Sequence, residues 1–314
     1  MSDKNMTNPV EISIPVPWGH IAGVSWNTDS EDHVLMVHGV QHNCGAFDRL
    51  IPLFKNNYNL VAIDLPSHGL SSHFPEGSPL NLIQFVLALK RVSNYLKWTK
   101  FSLVGHSFGG QISTYYAAIY PQDIQSLVVI DSMEPGPVPL NDTLTHLQTV
   151  LNQQLDLEEK LVKKSPPVYT YDEAYEKVKK NDKWNLTDEA AKDLMKRAVK
   201  SHQNGYTFTC DQRLKFPMRP LLTFEQQKEI MKNISCPVLF ILTDGNMARY
   251  STYLKQMYEY NCSKINNTII IVKGDHAIHQ NYPEKISHLI DEFLISKRLN
   301  SKVEHVTYTY NGNF

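Results

Sequence analysis

Short apolar runs recur along the sequence and alternate with segments whose apolar residues have helical spacing. The runs predict strands at residues 10–14, 20–26, 33–37, 60–63, 101–104, 127–130, 237–242 and 268–272. A Pro-Val-Pro-Trp-Gly turn joins the first two strands, which predicts an antiparallel hairpin. The later runs are almost wholly apolar, as expected for strands that are buried on both faces of a sheet.

Helices are predicted between these strands at residues 80–98, 111–118 and 251–260, and after the last strand at residues 283–299. Strands that alternate with helices favour an α/β fold, in which helices flank a mostly parallel central sheet and the crossovers are right-handed.

The alternation stops after a Pro-Gly-Pro segment at residues 135–137. Three charged helices are predicted at residues 141–162, 172–180 and 187–200, with no strand between them. We interpret residues 133–229 as a helical cap, or lid, inserted over the active edge of the sheet, and residues 1–132 and 230–314 as the core domain. The lysine-rich surface of the cap is interpreted as a solvated helix face, with a basic binding patch as the alternative. The alternating residues 303–310 predict a loosely packed tail or a surface strand.

Composition narrows the classes of partner. Among 314 residues, 42% are apolar, and 31 lysines and arginines nearly balance 32 acidic residues. This balance gives no general attraction to nucleic acid or acidic membranes, so a small-molecule substrate is expected. Four widely spaced cysteines indicate free thiols in a reducing compartment. No signal peptide or membrane-spanning segment is recognised, so a cytoplasmic location is expected.

The segment Gly105-His106-Ser107-Phe108-Gly109-Gly110 carries the strongest chemical signal. It follows the strand predicted at residues 101–104 and precedes the helix predicted at residues 111–118. A G-x-S-x-G motif between a strand and a helix is the context of a nucleophile elbow, in which a sharp turn exposes the serine hydroxyl. Ser107 is therefore the candidate nucleophile.

A serine hydroxyl needs a base, and the base needs an orienting carboxylate. His276 is the candidate base because it follows the last strand, at the same sheet edge as Ser107. Asp131 and Asp244 each follow a strand between the serine and the histidine, and the residues alone leave both open as the acid. His279 is interpreted as a structural residue.

Two backbone amides are candidates for an oxyanion hole. The Phe108 amide follows the nucleophile at the start of a helix, and the Val40 amide lies in the turn after the strand at residues 33–37. His38, His42 and His68 lack metal-ligand spacing and are interpreted as turn residues. No phosphate loop or dinucleotide fingerprint is present, so no cofactor and no metal are expected.

The motifs HGV, DLPSHGLSS, GHSFGG and GDH together resemble the α/β-hydrolase superfamily. The segments IPVPWGHIAG, FDRLIPL and DLPSHGLSSH are more narrowly similar to the serine hydrolase-like proteins. The resemblance covers about residues 14–294 and implies a helical cap, Ser107 as nucleophile and His276 as base. Most members carry an aspartate in a G-x-x-D segment where this chain has Asn246. Some members place the acid after the strand that follows the elbow, which favours Asp131 over Asp244.

Three functions fit these features. The first is a carboxylesterase-like serine hydrolase that cleaves a small, lipophilic ester through an acyl-serine intermediate. The second is a ligand-binding protein that keeps the fold with weak or no activity, an idea motivated by the uncertain acid. The third is a cofactor-free oxygenase or lyase on the same fold, since one architecture hosts many chemistries.

Overall fold

The computed structural model of the chain describes residues 8–26, 29–163, 166–181, 184–247, 252–264 and 266–297. The strands, in chain order, are β1 Val10–Val16, β2 Gly19–Trp26, β3 His33–Val37, β4 Asn59–Ile63, β5 Phe101–His106, β6 Ile124–Ile130, β7 Lys180–Asn181, β8 Trp184–Asn185, β9 Val199–His202, β10 Gly205–Phe208, β11 Val238–Thr243 and β12 Asn267–Val272. The tail predicted at residues 303–310 lies outside the described residues.

The helices, in chain order, are α1 Leu82–Leu96, α2 Phe108–Ile119, α3 Thr143–Lys163, α4 Tyr171–Lys179, α5 Asp188–Ala198, α6 Phe224–Met231, α7 Asp244–Met247, α8 Thr252–Cys262, α9 Ile278–Asn281 and α10 Ser287–Ser296. Within the described segments, no helix combines the length and the apolar character needed to cross a membrane.

Eight of the described strands form one sheet in the order β1-β2-β4-β3-β5-β6-β11-β12. All pairings from β4 through β12 along this order are parallel, whereas β1 pairs antiparallel with β2, and β2 with β4. The predicted mostly parallel sheet and its N-terminal hairpin are therefore confirmed.

Alternate residues of the central strands enter two separate apolar cores. Leu103 on β5 faces the core that contains α1 and α2, and its neighbour Val104 faces the core that contains α10. The period-two alternation of a strand explains this division, and burial of both faces explains why the central strands are largely apolar.

The parallel strands bring their carboxyl ends to one edge of the sheet. Ser107 follows β5, Asp131 follows β6, Asp244 follows β11 and His276 lies in the loop after β12. Residues far apart in sequence thus converge at one edge because each lies at the end of a neighbouring strand.

The segment between β6 and β11 contains strands that the sequence did not lead us to expect. Helices α3, α4 and α5 match the predicted helices, but β7 pairs with β8, and β9 with β10. The prediction that no strand lies between the three helices is wrong, because β7 and β8 lie between α4 and α5. In addition, α5 ends at Ala198, before the predicted residue 200, and the β9–β10 hairpin follows it. Asn204-Gly205 is a hairpin signal, and Gly205 has a φ of 147°.

Helix α5 packs against the sheet edge that carries Ser107. Leu194 shares a small buried cluster with Ala46 and Ala277. Beside it, Arg197 Nε donates to the fully buried carboxylate of Asp64 at 2.9 Å. Apolar packing and a buried ion pair therefore join this helix to loops of the core.

Helix α2 lies unusually close to β3 and β5, and glycines make this possible. A methyl group at Gly105 would lie 2.6 Å from the carbonyl oxygen of Gly109, and a methyl at Gly109 would overlap the carbonyl oxygens of Val37 and His38. Backbone atoms cannot move aside as a flexible side chain can, so both positions require glycine.

We predict that Gly109→Ala lowers the free energy of unfolding by about 1–3 kcal/mol or more, since overpacking against backbone forces strain into the fold. Urea unfolding measures this loss. Gly136→Ala is the matched control, because the nearest atom to its new methyl would be Arg219 Nη1 at 3.7 Å. Equal stability of the two variants would contradict the close-packing argument.

Candidate active site

The turn between β5 and α2 holds Ser107 in a strained backbone conformation. Its φ is 52° and its ψ is −119°, a region that residues other than glycine rarely occupy. The Ser107 amide donates to the carbonyl oxygen of Ile130 at 3.1 Å, which ties the turn to the end of β6. Strain of this kind persists only where the surrounding structure enforces it, and it clusters at functional sites.

Three side chains form a continuous hydrogen-bonded chain at the sheet edge. His276 Nε2 lies 2.9 Å from Ser107 Oγ, and His276 Nδ1 lies 2.7 Å from Asp131 Oδ2. An ionised carboxylate only accepts hydrogen bonds, so Nδ1 carries the proton and Nε2 is left to accept from the serine hydroxyl. The structure therefore brings Ser107, His276 and Asp131 together in the order that proton transfer from serine requires.

Asp131 is buried completely and its carboxylate is held from two sides. Oδ1 accepts from the Thr243 amide at 2.7 Å and from the Thr243 hydroxyl at 2.8 Å, while Oδ2 accepts from His276. The Asp131 amide donates to the carbonyl oxygen of Ile241 at 2.6 Å. Thr243 is a positioning residue that sequence reasoning missed; its position at the end of β11, beside β6, was the available signal.

Asp244 is not brought to His276. Its Oδ1 accepts from the amides of Gly245 at 2.8 Å and Gly274 at 3.0 Å, and the residue is exposed. Asp244 is the first residue of α7, and its hydrogen bond from Gly274 holds the loop after β12 against that helix. Asn246 places Nδ2 3.5 Å from the carbonyl oxygen of Asp131.

The two candidate oxyanion amides adjoin Ser107. Phe108 is the next residue and begins α2, so its amide is one of the first-turn donors without an intrahelical acceptor. Val40 follows Gly39, where a methyl group would lie 3.2 Å from Ser107 Cβ. The turn after β3 therefore lies directly against the serine, with the helix dipole of α2 on the other side.

Three buried histidines lie beneath His276. His106 Nε2 donates to the His276 carbonyl oxygen at 2.8 Å, and its ring centroid lies 3.9 Å from that of His279. Burial lowers the pKa of His42 to about 3, and burial holds the pKa values of His106 and His279 well below their usual range. These imidazoles are thus neutral near pH 7, and His106 supports the loop that carries His276.

This cluster offers the nitrogen donors that a transition metal uses. One nitrogen from each of His42, His106 and His279 lies within 4.8 Å of the others. Zn–N bonds of about 2.1 Å in a tetrahedral site need nitrogens about 3.4 Å apart. A methyl at Gly39 would lie 2.9 Å from His106 Nδ1, so backbone occupies that side of the ring. As arranged, the rings pack against one another as neutral aromatic groups.

The family model for the α/β hydrolase fold matches residues 32–290. The chain belongs to the α/β-hydrolase family. A serine hydrolase-like protein of Danio rerio is 32% identical over 287 residues, which cover 90% of this chain and 88% of that protein. A probable serine hydrolase of Drosophila melanogaster is 31% identical over 292 residues, covering 90% of this chain and 87% of that protein.

Solved structures agree with this assignment. A hypothetical protein of Pseudomonas aeruginosa PAO1 has a TM-score of 0.81 and 27% identity, and the match covers 91% of this chain and 99% of that one. A thioesterase domain from the curacin biosynthetic pathway has a TM-score of 0.73 at 21% identity, covers 90% and 99% of the two chains, and shares the fold. The predicted α/β-hydrolase fold and the resemblance to serine hydrolase-like proteins are confirmed, and they support a hydrolase.

The buried histidines predict a loss of stability in acid. The unfolded chain binds a proton at each histidine below about pH 6.5, whereas the folded chain does not until far lower pH, so stability falls as pH falls through this window. For a single histidine that stays neutral in the fold, the loss between pH 7.5 and pH 5 is about 2 kcal/mol. We expect that the free energy of unfolding of His279→Phe, measured with urea, falls by about 2 kcal/mol less between pH 7.5 and pH 5 than that of the wild-type protein.

Ile278→Val is the control for this measurement, because it perturbs the neighbouring buried position without a titrating group. Its effect is expected to be the same at both pH values. An unchanged pH dependence in His279→Phe would show that the imidazole already takes up a proton in the folded chain.

Proposed function

We propose that this chain is a carboxylesterase-like serine hydrolase that cleaves a small, lipophilic ester through an acyl-serine intermediate. The observation that carries the proposal is the 2.9 Å contact between His276 Nε2 and the hydroxyl of a strained strand-to-helix serine. A nucleophile and a base within hydrogen-bond reach, with the base oriented by a third group, form the signature of nucleophilic catalysis. The turn that holds Ser107 is then a nucleophile elbow.

In the first half of the proposed reaction, Ser107 Oγ attacks the ester carbonyl carbon while His276 Nε2 accepts the hydroxyl proton. Negative charge moves onto the carbonyl oxygen, where the amides of Phe108 and Val40 donate to it. The tetrahedral intermediate then expels the alcohol, which takes the proton back from His276. An acyl group remains on Ser107.

In the second half, water takes the place of the alcohol. His276 Nε2 accepts a proton from the water as the oxygen attacks the acyl carbon, and the same nitrogen returns a proton to Ser107 Oγ as the acid leaves. Asp131 keeps Nδ1 protonated throughout and stabilises the imidazolium that forms transiently. Thr243 holds the other carboxylate oxygen, so the acid cannot turn away from the ring.

We also propose that residues 133–229 form the cap over this site. Helix α5 packs on residues 44–47 and near Ala277, the neighbour of the proposed base, which supports that location. A cap of this kind encloses an apolar space and excludes water from the reacting groups. The lipophilic character of the substrate is inferred from such an enclosure.

The first test is labelling with a fluorophosphonate probe, which reacts with activated serines. We expect the wild-type protein to be labelled and Ser107→Ala to remain unlabelled. Ser132→Ala is the matched control, since Ser132 is a buried serine near the same edge whose hydroxyl donates to the Met133 carbonyl oxygen. A folded wild-type protein that resists the probe would favour a binding role over hydrolysis.

The second test separates the two candidate acids. Asp131→Asn is expected to lower kcat for a p-nitrophenyl ester by about 10⁴-fold, as the equivalent change does in serine proteases, because the imidazole adopts the wrong tautomer. Asp244→Asn is expected to change kcat less than about threefold, since Asp244 contacts only loop amides. The reverse pattern in kcat would assign the acid to Asp244.

A further inference from the structure

A cavity of about 440 Å³ lies between the loop after β3 and the segment that contains α3, α4, α5 and β10. Its floor is formed by Gln41, His42 and Asn43. This loop continues directly from Gly39 and Val40, which lie against Ser107. Three residues of chain span at most about 10 Å, so the cavity lies close to Ser107.

The walls of the cavity combine an apolar body with three cationic side chains. Apolar and aromatic residues supply most of the walls: Leu157, Leu161, Pro166, Pro167, Tyr169, Val178, Leu194, Ala198 and Phe208. Lys160, Lys177 and Lys215 also line the cavity, as do Gly69, Thr209, Cys210 and Gln212. No aspartate or glutamate is present among the described residues that line it. The three lysines are exposed, which places them where the cavity meets solvent.

This clustering of positive charge is local. The whole chain has a formal net charge of −1. A cavity lining with three lysines and no acidic residue is therefore more positive than the chain as a whole. Among the described residues, no carboxylate lies within 4.0 Å of the three ammonium groups, although Lys177 interacts electrostatically with Glu173 on α4. Lys177 also lies 5.2 Å from the ring centroid of Tyr169, another cavity residue. An anion bound in the cavity would be attracted by each of these lysines.

We propose that the cavity binds the part of the substrate remote from the ester bond, and that this part ends in a carboxylate or a phosphate. An apolar chain would fill the space between the helices, and the terminal anion would meet Lys160, Lys177 and Lys215 at the solvent side. The proposal deepens the hydrolase function proposed above and rests on it. Lysine suits this role as a mobile point charge that accepts either anion.

The test compares two substrates of equal chain length. Mono-p-nitrophenyl suberate ends in a carboxylate, and p-nitrophenyl octanoate ends in a methyl group. We expect the wild-type protein to have the higher kcat/KM for the suberate. The triple variant Lys160→Gln, Lys177→Gln and Lys215→Gln is expected to lower the suberate-to-octanoate ratio of kcat/KM about tenfold, because it removes the charges that attract the carboxylate.

The control is a second triple variant, Lys55→Gln, Lys192→Gln and Lys200→Gln, which removes the same charge from exposed lysines outside the cavity. It is expected to keep the wild-type ratio. Added salt should reduce the suberate preference in the wild-type protein, because exposed charges are screened. An equal effect of both triple variants would indicate a general charge effect and overturn the proposal.

Binding to Ser107→Ala separates this proposal from the hydrolase function. Calorimetry with monomethyl suberate and with octyl phosphate, each against methyl octanoate as the neutral reference, measures the site without turnover and shows which anion is preferred. Weaker anion binding in the cavity triple variant supports the site even if no ester is hydrolysed. Ester turnover that depends on Ser107, with no anion preference in rate or binding, overturns the site and leaves the hydrolase proposal intact.

Discussion

The buried carboxylate of Asp131 is the constraint on which the candidate active site depends. A carboxylate without exposure to solvent is tolerated only when hydrogen bonds replace the lost water, and here Thr243 and His276 supply three of them. These partners come from the end of β11 and from the loop after β12. Hydrogen bonds thereby hold Asp131, Thr243 and His276 together, and they keep the His276 ring directed at Ser107.

A second buried charge joins the segment after β6 to the core. Asp64 is completely buried at the end of β4 and accepts from Arg197 of α5 as well as from the amides of Cys44 and Leu70. Removing one member of such a pair leaves an uncompensated buried charge, which is strongly destabilising. The position of α5, and with it one wall of the cavity, is therefore fixed by electrostatics as well as by apolar packing.

Much of this arrangement could be predicted from the sequence because it follows from local patterns. Apolar runs and helical spacing predicted the central sheet. Strand ends in a parallel sheet meet at one edge, which is why Ser107 and His276 could be named as candidates. The acid could not be chosen on this ground, since Asp131 and Asp244 both follow strands and only side-chain direction separates them. The β9–β10 hairpin was missed for a different reason: the helical periodicity of α5 drew attention away from the turn signal at Asn204-Gly205.

The candidate active site and the cavity walls are built from different parts of the fold, which explains why the reaction class is easier to infer than the substrate. Ser107, His276 and Asp131 all lie at ends of core strands, where sheet geometry leaves few alternatives. The cavity walls come largely from helices and loops between β6 and β11, whose side chains can change without disturbing the hydrogen bonds of the core. In the proposed hydrolase, the cavity walls would set selectivity, including any preference for an anionic group at the three lysines, and the hydrogen bonds of Ser107, His276 and Asp131 would not constrain those walls.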